Sequence, residues 1–187
     1  MDDFVDYMFK VPLLHLQVKN WDKKKEILLE MVNNSNLIIT KEDNVNSDYH
    51  TQNDNQTMGQ HNNAILEILK EEIEIFCNYF KFNYYQITES WFETAKQGND
   101  HAVHNHGATG YSSVCYVDYI KDIHTPTQFV SPFHNFLTGT LLHYEPKIEE
   151  GSIIFFPSAI MHYTKPNNSK IERTILSFNL DVNENEL

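Results

Sequence analysis

From residue 84 onward the sequence is cut into short runs rich in Tyr, Phe, Ile, Val and Thr, with Gly and Pro punctuating them. β-Branched and aromatic side chains suit a pleated surface that is at least half buried. The pattern predicts strands at residues 87–94, 102–106, 112–119, 128–130, 140–144, 152–156, 160–164 and 172–180. So many short strands must bury their apolar faces against one another. The expected fold is therefore mainly β, an antiparallel jelly roll or barrel, with N-terminal helices packed outside it.

The first half supplies those helices. Residues 4–18 alternate weakly and suit a strand that turns at Asn20-Trp21, after which Asp22 can cap a helix through Ile27, Leu28 and Met31. Residues 33–62 are crowded with Asn, Asp, Ser, Thr and Gln, and read as a long surface loop that could serve as a substrate lid. From 63 to 80, Ile65, Ile68, Leu69, Ile73, Phe76 and Phe80 recur at helical spacing, which predicts an amphipathic helix. No repeat or linker divides the chain, and 187 residues with 41% hydrophobic side chains suffice for one core. One domain spanning 1–187 is expected, with 1–83 as an N-terminal part and 84–187 as the β core.

Charge narrows the function. With 26 acidic against 14 basic residues the formal net charge is −12, which disfavours the phosphate contacts of a nucleic-acid binder. No apolar run is long enough for a membrane span, and the Met1-Asp2-Asp3 start lacks the basic region of a signal peptide, so a cytoplasmic protein is expected. Cys77 and Cys115 then read as reduced and packed, and the sequons at Asn33, Asn55 and Asn167 as accidents of an Asn-rich sequence.

Ten histidines, most in the second half, direct attention to metal chemistry. In His101-Ala102-Val103-His104-Asn105-His106, His104 and His106 stand two apart, so on a strand both imidazoles leave from one face and can grip one metal. Alone, such a pair is more often solvated or packed. Further on, Gly151 opens a very apolar strand, His162 lies just beyond it, and Pro166-Asn167-Asn168-Ser169 turns the chain back to Arg173. This reads as a hairpin with a ligand on one arm and a cation on the other. On the last strand Thr174, Leu176, Phe178 and Leu180 share one face, and Arg173, Ile175, Ser177 and Asn179 the other. An inward arginine needs an anion, and its planar fork matches a carboxylate. Taken alone, Arg173 is better explained by a structural salt bridge to Glu172 or Glu149, or by plain exposure.

Taken in order, the His-x-His, the strand Tyr111-Ser112-Ser113-Val114-Cys115-Tyr116-Val117, the Glu150-Gly151-Ser152-Ile153-Ile154-Phe155-Phe156-Pro157-Ser158 block, His162 and Arg173 resemble the Fe(II)/2-oxoglutarate-dependent oxygenase superfamily. The likeness is to its prolyl-hydroxylase-like group, and in particular to small oxygenases of T4-like marine bacteriophages, for which the compartment would be the host cytoplasm. It runs from about residue 87 to 179. The resemblance implies a double-stranded β-helix, the cupin-like jelly roll, and a dioxygenase that uses Fe(II), O₂ and 2-oxoglutarate and releases succinate and CO₂. It implies that His104 and His162 are metal ligands and that Arg173, eleven positions after His162, binds the distal carboxylate of 2-oxoglutarate. Tyr116 and Ser177 would add hydroxyls there. The sequence departs from the pattern at His106, where the superfamily mostly carries a carboxylate. A third imidazole leaves the metal with one more positive charge, and Asp100 or Asp118 could replace it only if the loop bends.

For the substrate side the sequence offers His101, Trp91, His124 and Asn179, together with His134 and the polar 33–62 segment; Trp91 reads more naturally as core. The resemblance favours an amino-acid side chain within a protein and leaves a small molecule open. Two rivals stand beside it: a three-histidine metal dioxygenase that does not use 2-oxoglutarate, and a jelly roll that binds without turnover.

Overall fold

The computed structural model describes residues 9–40 and 44–184. The elements in chain order are β1 (Leu14–Gln17), α1 (Trp21–Asn34), β2 (Ile38–Ile39), β3 (Asn46–Ser47), α2 (Tyr49–Asp54), α3 (Asn62–Phe80), β4 (Phe82–Ala95), β5 (His101–His104), β6 (Tyr111–Asp118), β7 (Gln128–His134), β8 (Leu141–Tyr144), β9 (Ser152–Pro157), β10 (His162–Thr164) and β11 (Arg173–Glu184). They form an antiparallel seven-stranded sheet, β1-β9-β6-β11-β4-β3-β2, and an antiparallel four-stranded sheet, β5-β10-β7-β8. From β4 to β11 the chain alternates between the sheets in the manner of a jelly roll, except that β7 and β8 follow each other in the small sheet.

Side-chain parity sorts the large sheet into two apolar layers. On one face Phe92, Cys115, Ile153, Phe155, Leu176 and Phe178 pack with Leu28 of α1 and Ile65, Leu69, Ile73 and Phe76 of α3. Phe76 stacks on Phe155 with ring centroids 4.6 Å apart, which anchors α3 to the middle of the sheet. On the other face Val114, Tyr116, Ile154, Phe156 and Ile175 meet Phe129 of the small sheet. Strands β6, β9 and β11 are thus buried on both sides, and β9 accordingly reads as an almost continuous apolar run. Each fully buried Phe contributes on the order of 1.5–3 kcal/mol, so these two layers carry much of the fold. Between the helices, Glu72 of α3 is buried, accepts the Lys19 N–H at 2.9 Å and pairs with Lys24 of α1 at 2.9 Å. Gly151 enters β9 at φ +76°, and a Cβ there would sit 2.7 Å from Gln17 Nε2 and 2.8 Å from the Trp21 ring.

Four expectations need correction. The strand expected over residues 4–18 is confined to Leu14–Gln17, and its residues 4–8 lie outside the described residues. The polar stretch 33–62 is not a structureless loop: β3 pairs with β4 and α2 follows, because Asp48 is buried and accepts the Phe92 N–H at 2.8 Å and His61 at 2.9 Å. The predicted His162–Arg173 hairpin does not exist, since β10 belongs to the small sheet and β11 to the large one. Asn167 makes the crossing between sheets, donating to the carbonyls of Ala95 and Ile171 at 2.8 Å each. Finally, β5 stops at His104, so His106 lies beyond the strand rather than on it. No helix among the described residues is long and apolar enough to cross a membrane.

Candidate metal centre

His104 ends β5 and His162 opens β10, and the two are directly paired across the ladder. His106 follows in the turn, where its N–H bonds to the Ser158 carbonyl at 3.0 Å and Ser158 N–H in turn bonds to Gly110 at 3.1 Å. Gly110, at φ +80°, lets this turn press on β11, because a Cβ there would meet the Leu180 carbonyl at 2.6 Å. These constraints bring one ligand nitrogen from each of the three rings within 4.8 Å of one another.

Each ring is oriented from behind. Nδ1 of His104 lies 2.7 Å from the Ala102 carbonyl, Nδ1 of His162 lies 2.9 Å from the Ile160 carbonyl, and Nδ1 of His106 lies 2.8 Å from Oδ1 of Asn179. An oxygen that only accepts requires the proton on Nδ1, which leaves the Nε2 lone pair of each ring for a metal. Burial, reinforced by the neighbouring His104, pushes His162 down to about 3; burial likewise pushes His106 down to about 4 against the raising effect of Asn179. Both rings are therefore neutral near pH 7, as a ligand must be. The carboxylates that might have completed the set are engaged elsewhere: Asp118 faces Lys25 at 3.6 Å and Asp100 accepts from Asn44. Three imidazoles and no carboxylate form this cluster, a donor set suited to a divalent transition metal such as Fe(II).

A second layer surrounds the rings. His101 stacks on His104 with centroids 4.1 Å apart and bonds through Nδ1 to Oε2 of Glu93 at 3.3 Å, while Trp91 Nε1 donates to Oε1 of Glu93 at 3.0 Å. Burial by itself would raise the Glu93 pKa; His101 and the indole N–H overcome it and hold the carboxyl well below the usual range. Asn179 accepts from Ser112 Oγ at 2.9 Å and donates to Oε2 of Glu89 at 3.1 Å, so a carboxylate stands one amide away from His106. A cavity of about 420 Å³, lined by Tyr49, Trp91, Glu93, His101, His104 and His106 among others, opens onto the cluster.

Arg173 begins β11 and is 2% exposed. Its Nη1 donates to the Thr125 carbonyl at 2.7 Å, but Nε has no partner, and neither does the buried Thr125 Oγ1. The salt bridges weighed from the sequence are not made, because Glu172 lies 4.0 Å from Lys96 and Glu149 pairs with Lys121 at 3.0 Å. A buried guanidinium with no anion is costly, and two orphaned polar groups beside it fit a carboxylate ligand. Tyr116 is fully buried and its hydroxyl exchanges 3.1 Å hydrogen bonds with Thr127; Ser177 is buried on the Arg173 face of β11. Arg173 itself does not line the histidine cavity.

Of the residues expected on the substrate side, His101, Trp91 and Asn179 do line that cavity, Trp91 at only 5% exposure, so it is at once packed and part of the wall. His124 does not. Its ring accepts the Ile120 N–H at 3.0 Å and meets the Ile171 carbonyl at 3.1 Å, which ties the 119–126 turn together. His134, at the end of β7, is exposed and does not line the histidine cavity. The sequence reading missed Glu93 and Glu89, although both share parity with Trp91 on the predicted strand, and missed Ser112, Ser47 and Tyr49 altogether.

A jelly roll with three converging imidazoles and a buried arginine that makes no ion pair among the described residues fits a metal-centred enzyme of the non-haem iron class. The profile of the family described as "Putative 2OG-Fe(II) oxygenase" matches residues 89–179, a stretch that holds all three histidines and Arg173. Over that stretch the chain is similar to the 2OG-Fe(II) oxygenases, whose metal and co-substrate are Fe(II) and 2-oxoglutarate. Comparison with curated protein sequences finds no match. Similar folds include the viral collagen prolyl hydroxylase of Paramecium Bursaria Chlorella virus-1, solved with 2-oxoglutarate, at 13% identity and a TM-score of 0.57 over 90% of this chain and 94% of that one. A Pseudomonas putida prolyl-4-hydroxylase aligns at 12% identity and 0.55 over 93% of both chains, and the epimerase SnoN from nogalamycin biosynthesis at 12% and 0.67 over 90% of this chain and 77% of that one.

Proposed function

We propose that this oxygenase holds its metal through Nε2 of His104, His106 and His162, seats the distal carboxylate of 2-oxoglutarate on Arg173, and hydroxylates an amino-acid side chain. The observation that carries the reading is the buried guanidinium with an orphaned Nε in the fold of a three-imidazole cluster. Fe(II) and 2-oxoglutarate together supply the O₂ activation, with oxidative decarboxylation to succinate and CO₂ coupled to oxidation of a substrate C–H bond. The protein's part is orientation. The Ala102, Ile160 and Asn179 oxygens fix the three rings, Arg173 offers a charge-assisted fork to a carboxylate, and the Tyr116 hydroxyl would join it by giving up its bond to Thr127, with Ser177 on the same face of β11 as a further hydroxyl. The cavity beside His104 receives the substrate. The likeness in fold to two prolyl hydroxylases supports a side chain within a peptide as the class of substrate, and a small molecule is the other candidate.

The three-imidazole set would also suit a dioxygenase that needs no 2-oxoglutarate, but such an enzyme has no use for a buried guanidinium whose Nε is left without a partner. Anaerobic titration of the protein with Fe(II) and then 2-oxoglutarate tests the proposal. A metal-to-ligand charge-transfer band that saturates with 2-oxoglutarate is expected. Metal binding without that band would shift the reading to the rival dioxygenase, and no metal binding would shift it to a non-catalytic jelly roll.

A further inference from the structure

A second cavity of about 320 Å³ adjoins the first, and the two share Glu89, His106 and Asn179. Glu89 thus stands at their junction, one amide from a ring of the histidine cluster. No Lys or Arg is among the residues that line either cavity, whereas Glu89, Glu93 and Asp181 are. Glu93 is matched by His101 and by the Trp91 N–H. Glu89 is only half buried, its Oε2 receives the neutral Asn179 amide, and among the described residues its Oε1 has no partner. Beside it Trp91 meets Tyr49 edge to face at 5.2 Å, which gives the first cavity an aromatic wall.

A carboxylate with one open oxygen, an aromatic wall and no competing cation make a receptor for positive charge, because ring faces attract cations and the ionised acceptor strengthens the hydrogen bond. We propose that Glu89 determines specificity for a substrate bearing an ammonium or guanidinium group, such as a lysyl or arginyl side chain. Its cationic end would be seated between Glu89 and the Trp91–Tyr49 wall, and its methylenes turned toward the histidine cluster. The net charge of −12 favours the approach of such a ligand over an anionic one. This assignment of substrate class rests on the function proposed above.

The test uses four probes, the Nα-acetyl amides of lysine, arginine, norleucine and glutamate, titrated by calorimetry into the Zn(II)-loaded protein with 2-oxoglutarate present, where no turnover occurs. Lysine or arginine should bind on the order of tenfold to a hundredfold tighter than norleucine, the expected effect of one charge-assisted contact in a sheltered site. Glu89→Gln keeps an oxygen for the Asn179 amide and should collapse that ratio toward one, while Glu89→Lys should shift preference to the glutamate probe. Equal binding of norleucine and lysine by the wild type, an unchanged ratio in Glu89→Gln, or no binding of either cationic probe at millimolar concentration would overturn the assignment. Failure of the underlying oxygenase reading shows separately, as loss of the Fe(II)–2-oxoglutarate charge-transfer band in the wild type.

Discussion

The Nδ1–H of His106 is donated to Oδ1 of Asn179 at 2.8 Å, with Ser112 Oγ 3.0 Å from the same nitrogen, and this turns Nε2 of the third histidine toward the metal cluster. His104 and His162 are oriented by backbone carbonyls, which no substitution removes. For His106 the orienting oxygen belongs to a side chain. Asn179→Leu should therefore weaken Fe(II) or Zn(II) binding by about tenfold to a hundredfold, the usual effect of losing an outer partner of a metal ligand. Asn179→Asp, which still accepts, should restore most of it. Competition against a chromophoric chelator measures both, and an unchanged affinity in the Leu variant would show that His106 is held by Ser112 instead.

His106 itself is tested by replacement with Ala and Asp. The Ala variant retains two of the three ligands and should lose most of its affinity for Fe(II). Asp places an anionic oxygen in reach of the metal and should keep binding while lowering the charge at the centre. If Ala binds as tightly as wild type in anaerobic titration, the third ligand is not His106.

Arg173→Met should separate co-substrate binding from metal binding. Losing the charge-assisted fork should weaken 2-oxoglutarate by about 1.5–3 kcal/mol while leaving metal affinity in place. Because the guanidinium is buried without an anion, the variant should be no less stable than wild type in the absence of 2-oxoglutarate. Thermal unfolding checks this: 2-oxoglutarate should raise the wild-type Tm and leave that of the variant nearly unmoved. A variant stabilised as strongly as wild type would remove Arg173 from the site.

The metal-free protein should lose stability on acidification. His106 and His162 have folded-state pKa values pushed down to about 4 and about 3, so between those values and the unfolded value of about 6.5 the unfolded chain binds more protons. Stability from these groups is complete above about pH 6.5 and is lost as pH falls through the window below it. Glu93, held below the usual carboxylate range, adds a loss in the same direction at lower pH. Chemical denaturation of the metal-free protein from pH 7.5 to 4 should show the decline, and His162→Phe should flatten it. A flat profile in the wild type would contradict the burial argument.

The β architecture was legible because period-two patterning and Gly/Pro punctuation are local properties, and α3 because its apolar residues repeat at helical spacing over 19 residues. The His-x-His, His162 and Arg173 were legible as an ordered series, although β5 ends at His104 and the turn after it, not strand parity, brings His106 to the cluster. What lay beyond reach was long-range. Nothing local to residues 166–169 says that the chain crosses from one sheet to the other there, so a hairpin looked as good. Nothing local to Glu89 and Glu93 marks them, and only the placement of β4 between β3 and β11 brings them to the cavity beside the histidines. Sequence by itself determined the strands and the order of the chemically potent residues; the tertiary structure alone decided that Asn179, 73 positions from His106, is its hydrogen-bond partner and that Arg173 is buried without an anion. Partnership and burial arise from how sheets pack, and packing is not encoded at any one position.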